Sequence, residues 1–257
     1  MHVLNFQGVF CFNKRFIKNR CKFATNNSNL KSKIKVSYIL NIETATKNCS
    51  VALAKEGKTI LCKEIADEGY SHAERLHVFI EEIINESGIG MKDLSAIAVS
   101  QGPGSYTGLR IGVSAAKGLC YALNIPLIAV DTLLALASKV SVADGLIVPM
   151  IDARRMEVYS AVFSVSLEKK REVLAEIIDE NSFEAIQEKI YFVGDCNDKC
   201  KSVLTKVNFV FLDDIKYPSA NEMSALSFNK YKISDTVDVA YFEPYYLKDF
   251  LIASPKK

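Results

Sequence analysis

No run of about eighteen consecutive apolar residues occurs anywhere in the 257-residue chain, so no segment is long enough to cross a bilayer as a helix. Acidic residues are missing from positions 1–36, which hold Lys14, Arg15, Lys18, Arg20, Lys22, Lys31, Lys33 and Lys35. Setting those eight aside leaves 24 basic against 30 acidic side chains, a body of net charge −6 inside a chain of net charge +2. A body of that sign is by itself a poor binder of nucleic acid, because phosphate contacts need Lys and Arg to displace counterions. Histidine is scarce: His2, His72 and His77 are the whole set. His72 and His77 lie five residues apart, which on a helix is about 140° of rotation, so they cannot clamp one metal ion. A solvated or interface role is expected for them. The seven cysteines are odd in number and lack metal-ligand spacing. Cys49, Cys62 and Cys120 fall in apolar segments, which reads as buried free thiols in a reducing cytoplasm.

There is no internal sequence repeat and no low-complexity linker. Three segments are expected: a basic extension over 1–36, read as a disordered tail or an upstream start rather than a targeting peptide, a larger lobe over 37–143, and a smaller lobe over 144–257. The boundary is placed at Asp144-Gly145. With 49% hydrophobic and 24% charged residues the chain is globular.

Residues 38–42 form a short apolar run expected of a central strand. Strands over 50–55 and 59–65 follow, joined at Glu56-Gly57-Lys58, where Gly57 supplies the positive φ of a tight hairpin. Ser71-His72-Ala73-Glu74 has the pattern of a capping box. Leu76, Phe79, Ile80, Ile83 and Ile84 then make one apolar helical face that Gly88 ends. A strand over 94–99, a helix from the Gly102 turn to near Asn124, a strand over 126–130 and a helix capped by Asp131-Thr132 complete the first lobe. The second lobe is expected to hold strands over 147–151, 157–165 and 191–193, a helix over 220–228 and a tail at 241–247. A meander followed by parallel β-α-β units is the α/β, ribonuclease-H-like arrangement of the actin-like (ASKHA) superfamily, in two lobes with a mixed sheet.

The segment from Ser100 to Gly112 carries the most information. A glycine turn between strand and helix presents amides that often hold phosphate. It lacks the Lys-Ser/Thr of a phosphate P-loop, since Leu109 and Arg110 follow Gly108, and it lacks the flanking glycines of a nucleophile elbow around Ser105. On spacing alone a tight structural turn is the favoured reading. In the helix that follows, Leu109, Val113, Ala116, Cys120 and Leu123 form a stripe for the sheet, while Gly108, Gly112 and Ala115 form a second, nearly bare one. Each interior glycine costs about 1 kcal/mol against alanine. Close approach of a helix, from this chain or another, would offset that cost. Glu43 ends the first strand where related ATPases place an acid near phosphate and magnesium. No Asp-Gly-Gly-type second phosphate loop is seen, and no cysteine has a general base nearby in sequence.

Three segments in order, Ile42-Glu43-Thr44-Ala45-Thr46, Gln101 to Gly112, and Ile151-Asp152-Ala153-Arg154-Arg155-Met156-Glu157-Val158-Tyr159, together with the closing Glu243-Pro244-Tyr245-Tyr246-Leu247-Lys248, resemble the TsaB (YeaZ) family over residues 37–257. The resemblance implies a non-catalytic subunit that binds and activates the TsaD-type catalytic subunit, which threonylcarbamoylates the adenosine next to the anticodon of tRNAs reading codons that begin with A. It implies a TsaE-type ATPase as a second partner, a homodimer when alone, contact with tRNA only indirectly through the complex, and no membrane association. In the family, helices matching 71–87 and 107–123 pack against the same pair in the partner as a four-helix bundle. The partner interface is therefore expected at His72, Arg75, Leu76, Phe79 and Ile83 on one helix, and at Thr107, Gly108, Ile111, Gly112, Ala115 and Leu119 on the other. Glu43, Thr44, Thr46, Gly102, Gly104 and Ser105 are expected to be a vestigial phosphate site. No cofactor of its own and no metal are expected, with ATP or ADP held at most at the partner interface. Glu43 stands where family members often have Asp, and TsaD-like catalysts carry a His-x-x-x-His metal pair that His72 and His77 do not match. The rival readings are an independent ATP-binding enzyme of the sugar-kinase and actin superfamily, using Glu43 and the Gly102 to Ser105 loop, and a peptidase, for which no Ser, His and Asp arrangement is found.

Overall fold

The computed structural model of the chain describes residues 36–66 and 72–248. The basic extension with Cys11 and Cys21, and Ser71 of the expected capping box, lie outside the described residues.

Strands β1 (Tyr38–Glu43), β2 (Cys49–Lys55) and β3 (Lys58–Ile65) form the expected meander. Its hairpin turns on Glu56 (φ 52°) and Gly57 (φ 78°), two positive-φ residues as a tight hairpin turn requires. Helix α1 (His72–Ser87), strand β4 (Leu94–Ser100), helix α2 (Tyr106–Leu123), strand β5 (Leu127–Val130) and the short helix α3 (Thr132–Ala137) follow. The carboxylate of Asp131 caps α3 by accepting from the Leu133 and Leu134 amides. The first sheet has the order β3-β2-β1-β4-β5, with β4 parallel to β1 and β5 parallel to β4.

The second half contains β6 (Leu146–Asp152), β7 (Glu157–Ser164), β8 (Lys169–Ile177), β9 (Ile190–Gly194), the one-turn helix α4 (Asn197–Cys200), β10 (Phe209–Phe211) and helix α5 (Ala220–Lys232). Its sheet has the order β10-β9-β6-β7-β8, again an antiparallel meander extended by parallel strands on the far side of the first strand. The same architecture is thus built twice from sequences with no detectable repeat, in keeping with the expected ribonuclease-H-like class. Strand β8 escaped the sequence reading because Lys169, Lys170, Arg171 and Glu172 make it a charged edge strand, a composition that blunts edge-to-edge pairing.

Side-chain alternation decides what each sheet face receives. Leu40, Ile42, Val51, Leu53, Ile97 and Val99 point to one face, where α1 and α2 cover them through Leu76, Ile80, Ile83, Val113, Ala116 and Cys120. The opposite face is paved with Ala52, Ala96 and Ala98, and α5 settles there through Ala220 and Met223. The helix expected in the smaller lobe therefore belongs to the first sheet. Its register is held by a buried polar set: the Ser227 hydroxyl donates to Asn41 Oδ1 at 2.6 Å, and Asn41 Nδ2 donates to Ser224 Oγ at 3.4 Å. Helix α3 joins the two halves, with Ala135 in the core of the first sheet and Leu133, Leu136 and Ala137 packed on Ile147, Ile151, Ala161 and Phe163 of the second. Of the cysteines expected to be buried, Cys49 and Cys120 are, whereas Cys62, on the edge strand β3, is exposed.

Candidate functional site

The segments expected to hold phosphate do meet. The turn after β1 lies against the glycine turn before α2, and two amides of the glycine turn are bonded within the chain. The Ser105 amide donates to the Ala45 carbonyl at 2.7 Å, and the Gly102 amide donates to Thr132 Oγ1 at 3.0 Å. Ser105 caps α2 with its hydroxyl accepting from the Gly108 amide at 3.3 Å. A Cβ on Gly104 would stand 2.3 Å from the Ala45 carbonyl oxygen, and one on Gly102 2.8 Å from that of Tyr245. Both glycines are therefore needed for close backbone approach, and what approaches is an acceptor. The Cα positions of both glycines thus face carbonyl oxygens of the chain itself.

Glu43 is fully buried, with Oε1 accepting from the Ala45 amide at 2.6 Å and from the Ser100 hydroxyl at 3.0 Å. Burial pushes its carboxyl up to about 7, against the opposing pull of the hydrogen bonds from Ala45, Ser100 and Thr44. Its Oε2 and the Thr46 hydroxyl are buried without a partner among the described residues. The burial that raises this carboxyl disfavours its charged form. Burial likewise raises the Cys49 thiol to about 11 and the Cys120 thiol to about 12, which removes both as nucleophiles near neutrality.

The bare stripe of α2 resolves differently from its expected use. A Cβ on Gly108 would lie 2.1 Å from the Thr44 carbonyl oxygen, and one on Gly112 2.2 Å from Thr44 Oγ1. The same Thr44 hydroxyl donates to the Gly108 carbonyl at 2.8 Å. These two glycines were expected at a partner interface; they are buried against the β1–β2 turn of their own chain. Leu76 and Ile83, expected there as well, are fully buried in the core under the sheet, where the 3.6-residue period of α1 turns them. His72 is only half-buried, and its Nε2 donates to the Thr46 carbonyl at 2.7 Å, tying α1 to the same turn.

The remaining residues stay at the surface. Arg75, Phe79, Ile111, Ala115 and Leu119 are half-buried and Thr107 is exposed. Ile111, Ala115 and Leu119 line an open groove of about 590 Å3 between α1 and α2, together with Ala73, His77, Arg110, Ser114 and Gly118. A Cβ on Gly118 would touch nothing within 4 Å, so the bare patch that faces outward is Ala73, Ser114, Ala115 and Gly118. Helical spacing from Leu119 and Ala115 could have found Ser114 and Gly118. Nothing local distinguishes their smallness from that of Gly108 and Gly112.

An actin-like scaffold with its phosphate turn closed and a bare groove between its first two helices is the class these features define. Residues 64–250 match the family described as TsaD: tRNA N6-adenosine threonylcarbamoyltransferase. A Haemophilus influenzae protein named tRNA threonylcarbamoyladenosine biosynthesis protein TsaB is 31% identical over 227 residues, covering 82% of this chain and 93% of that one. The tRNA N6-adenosine threonylcarbamoyltransferase of Bacillus subtilis is 40% identical over 114 residues, 38% of this chain and 33% of that one. The structure of YeaZ from Pseudomonas aeruginosa superposes with a TM-score of 0.73 at 26% identity, over 82% of this chain and 100% of that one. The chain belongs to the TsaB (YeaZ) family.

Proposed function

We propose that this chain is a partner-binding subunit in the formation of threonylcarbamoyladenosine in tRNA, and that it supplies no catalytic group itself. The observation that carries the reading is the groove between α1 and α2, paved by Ala73, Ser114, Ala115 and Gly118 and edged by half-buried Ile111 and Leu119. Small side chains let another helix pair approach at backbone distance, and the apolar edges gain by being covered. A TsaD-type catalytic subunit is the proposed occupant, since its relatives share this fold and family. The chain alone would cover the same face by forming a homodimer, and a TsaE-type ATPase would join the pair in the cytoplasm. The glycine turn, with its Gly102 and Ser105 amides bonded within the chain and Glu43 buried, supports the absence of a nucleotide of its own. Any ATP or ADP at the interface would take its phosphate donors from the partner. Most of the affinity for tRNA would likewise reside in the partner, given the net −6 of residues 37–257.

Co-purification with the catalytic homologue tests this directly. Gly118→Leu adds bulk in the groove where the fold leaves room, and a loss of association of tenfold or more is expected. Equal binding by wild type and variant removes the groove from the interface. Tight binding of ATP and magnesium to the isolated chain in calorimetry would favour the independent enzyme instead.

A further inference from the structure

The turn between β6 and β7 holds the only two adjacent non-glycine residues of positive φ among the described residues. Arg154 (φ 74°) and Arg155 (φ 54°) are adjacent and both left-handed, a conformation that favours Gly or Asn. The hairpin between β2 and β3 meets the same demand with Glu56 and Gly57, so this chain elsewhere uses glycine for the purpose. Strain at Arg154 and Arg155 is held from outside. Lys199 of α4 donates to the Arg155 carbonyl at 2.7 Å and the Glu157 carbonyl at 2.9 Å and pairs with Asp152, which uses all three ammonium hydrogens. Asp152 in turn accepts from the Arg154 amide at 3.0 Å. Both arginines are exposed, and among the described residues neither guanidinium has a hydrogen-bond or ion-pair partner. The acids that flank the turn in sequence are paired, Asp152 with Lys199 and Glu157 with Lys248.

The pairing of Glu157 with Lys248 also brings the C-terminal strap to this turn. The strap begins at Val237, whose amide donates to the Leu127 carbonyl, and follows α2 while Lys117 holds its Ala240 and Phe242 carbonyls. It then crosses the glycine turn, where the Tyr245 amide donates to the Gln101 carbonyl at 2.7 Å. Tyr246 stacks near Tyr106, with ring centroids 5.0 Å apart, and Arg110 lies 4.0 Å from the Tyr106 ring. Tyr241 is 85% exposed and Tyr245 45%. Uncompensated guanidiniums and open aromatic rings on neighbouring segments are what a single-stranded nucleic acid uses, one for phosphates and the other for base faces.

We propose that Arg154 and Arg155, with the tyrosines of the strap, form a local RNA-contact surface that engages tRNA within the assembly, a direct contact where the family resemblance implies only an indirect one. The proposal rests on the function proposed above for the identity of the RNA. The net charge of the body confines such a contact to this patch, so the isolated chain is a weak binder. The test uses the complex of this chain with the TsaD-type subunit and an unmodified tRNA transcript, titrated over a range of salt. Arg154→Gly/Arg155→Gly removes both charges and relieves the strain, so folding is retained or improved. Its tRNA affinity is expected to fall about tenfold, and the slope of log affinity against log salt to become shallower by about one to two. Tyr241→Ser/Tyr245→Ser is expected to lose several-fold affinity with the salt slope unchanged.

An unchanged affinity and slope for the arginine variant overturns the proposal. So does a variant that no longer binds the catalytic subunit in the absence of RNA, since the arginines then serve an acidic protein surface. If wild type and catalytic subunit do not associate, the function proposed above fails. Filter binding of the isolated chain at low salt then still decides the RNA contact: binding that persists without the arginines, or no binding at all, refutes it.

Discussion

The two halves of the molecule repeat one strand order with different coverings, and the coverings separate their roles. In the first half the connections flanking β4 are the helices α1 and α2, of 16 and 18 residues, long enough to bury one side and present another. In the second half the corresponding connection after β9 is a helix of four residues, which can bury Asn197 and Cys200 but offers no face. The hairpins after the first strands differ in the same way. Residues 44–48 fold inward over buried Glu43 and receive Gly108 and Gly112 of α2, whereas residues 153–156 project with two exposed arginines. A shared scaffold has thus been closed at one turn and opened at the other.

The strongest way to break the comparison is to block the closed turn. Gly112→Leu would put a Cβ 2.2 Å from Thr44 Oγ1, and a loss above about 4 kcal/mol is expected in urea denaturation, enough to prevent folding. Gly118→Leu, six residues along the same helix, should be neutral or stabilising by about 0.5–1 kcal/mol, because it only exchanges glycine for a better helix former in open space. Similar stabilities for the two variants would show that the turn does not bear on α2.

Protonation of Glu43 gives the next largest effect. The unfolded carboxyl titrates near 4.5 and the folded one at about 7, so the folded state keeps the proton over that window. Stability is therefore highest below pH 4.5, falls as pH rises through 7, and levels above it, by about 3 kcal/mol in all at 1.36 kcal/mol per unit. Glu43→Gln should flatten this part of the curve, which thermal unfolding from pH 4.5 to 8 would read. A wild-type profile that rises over the same range excludes a neutral Glu43.

At the open turn, Lys199→Met removes the ammonium that ties Asp152 and the carbonyls of Arg155 and Glu157 together, and a cost of about 2 kcal/mol is expected. The smallest effect is expected from Arg155→Gly, a gain of about 0.5–1 kcal/mol as left-handed strain is relieved and partly offset by the greater chain entropy of glycine. A loss in chemical denaturation would mean that the Arg155 side chain supports the fold.

Much of this arrangement was legible beforehand. The meander, α1, α2, the Asp131 cap of α3 and the passage from a meander to parallel units in the first sheet follow from local periodicity and turn chemistry, which act within a few residues. Strand β8 was hidden by its edge charges. The home of α5 was hidden because its buried face includes Ser224 and Ser227, polar residues that become core only when Asn41 of another element meets them. The small-residue stripe was visible, but its partner was not: Thr44 lies 64 residues from Gly108, and no local signal separates a glycine needed by its own chain from one left bare for another.

By itself the sequence determined the class of fold, the family and the segments that matter, because hydrophobic period, caps and tight turns are properties of neighbouring residues. Only the tertiary structure decided that Gly108 and Gly112 face inward, that Ser114 and Gly118 face outward, and that the acid ending β1 is sealed while the arginines after β6 stand free. Those outcomes depend on which distant backbone arrives within contact distance, and that is set by packing of whole elements rather than by any residue's own preference.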